Sequence, residues 1–183
     1  MNFQSYLSYF ETIIHSPNPA APYDNPDYFN YAKLNWSRTN RWLKTGILSD
    51  QIKSIVMSLK QPQQWIVITE PWCGDASHVV PFIHMMAELN SNITVQYELR
   101  DAEPFRINSY LTNGGKSIPK LIIRNNAGED QAIWGPRPQS CQAVYDILKS
   151  NNADFEQIKI ELQKWYNQNE GIDIQQEIGD LLK

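Results

Sequence analysis

Apolar residues recur along this chain with two different periods, and the changes of period predict its elements. Phe3, Tyr6, Leu7, Phe10, Ile13 and Ile14 fall at helical spacing and predict an amphipathic helix over 2–15. Residues 16–27 contain Pro17, Pro19, Pro22 and Pro26 beside Asn18 and Asn25. That is too many breakers for a helix or a central strand, so the segment reads as a loop and a candidate flexible joint. Helical spacing returns from Tyr28 to Leu43, with Tyr31, Leu34, Trp42 and Leu43 placed on one side and Gly46 as the stop. Ser49 and Asp50 then cap a helix over 51–59.

From there strands and helices alternate. The run Trp65-Ile66-Val67-Ile68 predicts a strand over 65–69, followed by a helix over 75–89, a strand over 93–99 and a helix near 103–112. Strands over 119–124 and 130–135, joined at Asn126-Ala127-Gly128, form a hairpin, and a helix over 139–150 follows. This order defines an α/β sheet closed by a hairpin. Phe155, Ile158, Leu162 and Trp165 predict one more amphipathic helix, and a short terminal helix is expected within 171–183. The organisation expected is a helical N-terminal extension over 1–48, an α/β domain over 49–150 and a C-terminal helical extension over 151–183.

Composition narrows the function classes. With 183 residues, of which 42% are hydrophobic, the chain suits one ordinary core with appended structure. A formal charge of −4 with interspersed signs gives no basic stripe for nucleic acid and no polybasic segment for a membrane. No run approaches the ~20 apolar residues of a membrane span, and Met1 to Tyr6 lack a basic start and an apolar run, so a cytoplasmic location is expected. The two cysteines, Cys73 and Cys141, have no companions at zinc-ligand spacing, and neither a metal nor a cofactor is expected.

The chemistry concentrates in Trp72-Cys73-Gly74-Asp75-Ala76-Ser77-His78, where a strand hands one thiol to a helix N-terminus. There the helix dipole favours the thiolate, which can bring a cysteine from about 8.5 to roughly 3.5–7.5. Asp75 opposes that shift, so a smaller depression is expected. Asp75 itself reads first as a solvated first-turn acid, and otherwise as a group for proton transfer or partner selection. Five residues of helix turn His78 by roughly 140° from Cys73, which argues against a shared metal site, and His78 and His84 read as ordinary helix residues. Cys141 is expected to pack against the sheet rather than to resolve a mixed disulfide.

Three separated features resemble the thioredoxin superfamily. They are Trp72-Cys73-Gly74 with Pro81 eight residues after the cysteine, Ser117-Ile118-Pro119 entering an apolar strand, and the hairpin through Gly128 that ends at Trp134-Gly135 before a final helix. The segments 69–76, 111–120 and 134–138 are also similar to bacterial thioredoxin-like proteins that carry added helices. The resemblance implies a thioredoxin-like α/β fold, a central mixed sheet flanked by helices, with a cis-proline at Pro119 opposite Cys73. It also implies a shallow groove at Trp72, Gly74, Asp75, Ile118, Pro119 and Gly135.

The departures set the expected reaction. Ala76 stands where a resolving cysteine would complete the pair, and Val67 stands where thioredoxins bury an acid. The leading expectation is an oxidoreductase-type exchange in which Cys73 alone forms a mixed disulfide with a protein disulfide or a low-molecular-weight thiol. The alternative is a redox-inactive module that holds an extended protein segment in the cis-proline groove. A peroxidase or transferase ranks below both, because no supporting Thr or Arg is visible near the cysteine. Lys116 and Lys120 read as solvated lysines flanking Pro119. The other aromatics read as packing for the added helices, which are also candidates for a homodimer interface.

Overall fold

An unbroken apolar run such as Trp65-Ile66-Val67-Ile68 suits a strand covered on both faces, and these four residues are all buried at the centre of the sheet. The computed structural model describes residues 1–183. In chain order the elements are α1 (Phe3–His15), α2 (Pro26–Thr45), α3 (Asp50–Ser58), β1 (Gln63–Thr69), α4 (Gly74–Ala87) and β2 (Ile93–Leu99). Then come β3 (Lys120–Asn125), β4 (Asp130–Trp134), α5 (Gln139–Ser150), α6 (Phe155–Asn169) and α7 (Ile172–Leu181). The four strands lie in the order β2-β1-β3-β4. β1 runs parallel to β2 and antiparallel to β3, and β4 closes the sheet antiparallel to β3. This is a mixed sheet flanked by helices, a thioredoxin-like fold.

The β2 edge is not left bare. Tyr97 donates its N–H to the Met1 carbonyl at 2.7 Å, and the terminal ammonium donates to the Tyr97 carbonyl at 2.8 Å. Such pairing blunts an edge that would otherwise recruit another strand. Phe3 stacks on His84 of α4 with ring centres 3.7 Å apart, and Tyr6 stacks on Tyr97, so α1 is fixed across α4 and β2.

Four expectations from the sequence change here. The helix near 103–112 is only a short 3-10 turn, Arg106–Ser109. Pro104 disfavours the helical conformation at Glu103, and Phe105 adopts a left-handed φ of 51°. The segment 16–27 is no flexible joint, because Tyr23 within it is buried. In α2 the buried side is Ala32, Asn35, Thr39 and Trp42, whereas Leu34 is exposed. The correct stripe has helical spacing but includes two polar residues, which an apolar-only reading passes over. Finally, α4 is buried almost all round rather than amphipathic, because α2, α3, α6 and α7 all pack on it. The N- and C-terminal additions thus meet over the helix that begins at Cys73.

Candidate functional site

Cys73 is the N-cap of α4, and its thiol does the work usually given to Ser or Asp there. The Ala76 N–H donates to Sγ at 3.4 Å, and the S–H donates to the Ile118 carbonyl at 3.4 Å. The Ile118–Pro119 bond is cis. Cys73 is only 7% exposed. Burial first, and then the charge of Asp75, push its thiol up to about 12, against the pull of the Ala76 N–H and the Arg137 guanidinium. The depression expected from the helix position is therefore reversed, because desolvation of a thiolate outweighs one capping N–H.

Asp75 is not a solvated acid. Its side chain is 11% exposed and forms a fork with Arg137, with Nε at 3.0 Å from Oδ1 and Nη2 at 2.9 Å from Oδ2. The Tyr166 hydroxyl donates to the same Oδ1 at 2.8 Å. Arg137 continues to Gln142 of α5 through Nη1 at 2.9 Å and lies over the Tyr145 ring at 4.4 Å. One carboxylate therefore ties the start of α4 to the loop before α5, to α5 and to α6. Burial and Asp75 also push Cys141, which is fully enclosed, up to about 12. Cys141 thus sits beside the same carboxylate as Cys73, deep inside the start of α5.

A cleft of about 510 Å³ opens above the thiol. Cys73, Trp72, Gly74, Asp75 and Ile118 line it, whereas Pro119 and Gly135 lie outside the lining. The walls come from the added helices: Tyr28, Tyr31 and Arg38 of α2, and Phe155, Lys159 and Tyr166 of α6. Tyr31 presses its hydroxyl onto the floor, where a Cβ on Gly74 would meet it at 2.3 Å. Asn35 holds the floor from below, donating through Nδ2 to the Pro71 carbonyl at 3.0 Å and accepting from Arg38.

Gly135 backs Pro119 instead of lining the cleft. Its φ of +111° is one that side chains rarely adopt, and a Cβ there would sit 2.3 Å from the Pro119 carbonyl oxygen. Gly135→Ala is expected to lower stability by at least about 2 kcal/mol in urea unfolding, from backbone strain plus the clash. A change within about 0.5 kcal/mol would mean that the loop moves freely. Lys120 corrects another expectation: it is 3% exposed, and Nζ donates to the Gly135 carbonyl at 3.1 Å and to Thr112 Oγ1. Lys116 is exposed and lines the cleft rim.

His78 is equally far from an ordinary helix residue. It is 2% exposed, accepts from Trp42 Nε1 at Nδ1 over 2.8 Å, pairs with Gln163 through Nε2 at 3.1 Å, and stacks on Tyr166 at 4.4 Å. An indole N–H can only donate, so Nδ1 is the acceptor and the proton sits on Nε2. No group of three His, Cys, Asp or Glu side chains is placed to hold a metal ion. Sequence reasoning missed Arg38, Asn35, Arg137 and Lys159 as site residues. Only Arg137, in the segment 134–138, carried a signal, and it supplies the arginine near the cysteine that the sequence did not reveal.

A βαβ unit, a closing hairpin and a cysteine capping the first helix opposite a cis-proline define a protein of the thioredoxin fold. The family model Thioredoxin_9, described as thioredoxin, matches residues 23–155, and the chain belongs to that family. A crystal structure of a protein of unknown function from Pseudomonas aeruginosa is similar with a TM-score of 0.58 at 15% identity, covering 99% of this chain and 89% of that one. An HIV epitope-scaffold protein is similar with a TM-score of 0.57 at 16% identity and the same coverage. At such identities the likeness is one of fold. No curated protein matches the chain.

Proposed function

We propose that this protein binds a small molecule in the cleft above Cys73 and that the cysteine is a protonated wall group rather than a nucleophile. The observation that carries this reading is the enclosure of the thiol, which is 7% exposed and bonded to the Ile118 carbonyl beneath the side chains of α2 and α6. With the thiol pushed up to about 12, a thiolate is scarce near neutral pH and exchange is slow. The same helices wall the groove in which an extended protein segment would lie. What remains is a concave, largely apolar site of about 510 Å³, within the range of small-ligand sites.

The test is the pH dependence of Cys73 alkylation in the Cys141→Ser protein. Slow reaction with a midpoint well above the ordinary thiol value of about 8.5 is expected, together with full retention of fold in Cys73→Ser. Fast reaction with a midpoint below about 8.5 would overturn the proposal. It would favour a second reading, single-cysteine thiol–disulfide exchange through a mixed disulfide at Cys73, completed by a second thiol from solution. That reading has in its favour the Ala76 N–H aimed at Sγ and the nearby Arg137 charge, both of which stabilise a thiolate. It also fits a cleft wide enough for a low-molecular-weight thiol.

A further inference from the structure

The charge of the cleft is opposite to that of the chain. The sequence carries 20 acidic and 16 basic residues, yet the lining brings together Arg38, Arg100, Lys116, Arg137 and Lys159 against only Asp27 and Asp75. Two of these cations are neutralised where they stand, Arg137 by Asp75 and Arg100 by Asp101. Arg38 is not: it donates to the neutral Asn35 Oδ1 at 2.8 Å, and its guanidinium otherwise faces the Tyr31 ring. Lys116 makes no ion pair, and Lys159 pairs only with Glu156, whose side chain is 72% exposed to solvent.

Geometry gathers two of these charges at one place. The Arg38 guanidinium carbon of α2 lies 5.3 Å from the Tyr31 ring centre, and Lys159 Nζ of α6 lies 4.9 Å from the same centre. Lys159 is also 4.9 Å from the Phe155 ring centre. Two cations from two separate added helices thus converge on aromatic faces in the wall of a concave site. The floor beside them is Trp72, Ile118 and a protonated thiol. Partly desolvated cations with no buried carboxylate partner hold a field that attracts an anion, and the surrounding low-dielectric walls concentrate it.

Resting on the small-molecule reading above, we propose that the ligand is an organic anion with an apolar body. Its carboxylate or similar group is held between Arg38 and Lys159, and its body lies against Tyr31, Trp72 and Ile118. An anion there gains charge-assisted hydrogen bonds that a neutral isostere lacks, and the aromatic walls take the rest by area.

The test compares 1-naphthaleneacetate with its neutral amide, 1-naphthaleneacetamide, by titration calorimetry on the wild-type chain and on Arg38→Gln, Lys159→Gln and the remote surface variant Lys53→Gln. The anion is expected to bind about tenfold more tightly than the amide. That preference should shrink in Arg38→Gln and in Lys159→Gln, fall as salt is raised to about 0.5 M, and persist in Lys53→Gln. Equal binding of anion and amide, or a preference untouched by both site variants, would overturn the anionic class while leaving the small-molecule reading intact. Binding of neither probe would overturn both.

Discussion

Asp75→Asn is expected to destabilise the protein by about 3–5 kcal/mol in urea unfolding, the range for breaking a buried ion pair from one side. The substitution leaves Arg137, 16% exposed, without its counter-charge and takes from Tyr166 a charged acceptor. An exposed pair would give about 0.2–1 kcal/mol, so the size of the loss decides between a structural tie and a surface contact. Because the same carboxylate joins α4, α5 and α6, the loss should fall first on the docking of α6, which walls the cleft. A double-mutant cycle with Arg137→Gln should give a coupling above about 1 kcal/mol. A loss under about 1 kcal/mol in the single variant would sink the idea. Removing the charge also removes the second cause of the raised Cys73 thiol. Alkylation should therefore quicken modestly, with burial still holding it back.

How much of this was legible in the sequence depended on whether the signal was local. The run 65–68 announced a covered central strand, Ser49 announced a cap that accepts from Ile52, and Asn126-Ala127-Gly128 announced the hairpin turn. Each of these is decided within a few residues. The tie between Asp75 and Arg137 spans 62 residues and that between Asp75 and Tyr166 spans 91, and nothing local marks them. Asn35 shows the same limit from another side. Its place on the buried stripe of α2 makes sense only beside the Pro71 carbonyl it satisfies, a partner fixed by tertiary packing. The expected depression of the Cys73 pKa missed for a related reason: the helix N-terminus was visible in the sequence, but the burial that outweighs it was not.

Between about pH 4.5 and 6.5 the opposed contributions of Glu70 and His78 to the stability of the wild-type chain are expected to cancel, leaving the rise that His84, also lowered by burial, adds, and Glu70→Gln should steepen the profile. Glu70 lies three residues before Cys73, and its carbonyl accepts the Cys73 N–H at 3.0 Å. Burial raises its carboxyl from 4.5 to about 7, although the Asp101 N–H donates to it. Tyr6, Tyr9, Tyr23, Arg100 and Asp101 surround it. Its contribution is full below pH 4.5 and is lost as pH rises through 7. Burial lowers His78 from 6.5 to about 3, helped by the charge of Arg38. Its contribution is full above pH 6.5 and is lost as pH falls towards 3. In the shared window folding takes up a proton at Glu70 and releases one at His78, so the two dependences cancel. Without Glu70, stability should rise with pH by about 1.4 kcal/mol per unit, or about 2–3 kcal/mol from pH 4.5 to 6.5. His78→Gln should give the opposite slope. Urea unfolding at pH 4.5, 5.5 and 6.5 on the three proteins checks both. A flat profile in Glu70→Gln would mean that His78 carries no lowered pKa in the folded chain, and a wild-type profile as steep as that of Glu70→Gln would mean that Glu70 is already ionised throughout the window.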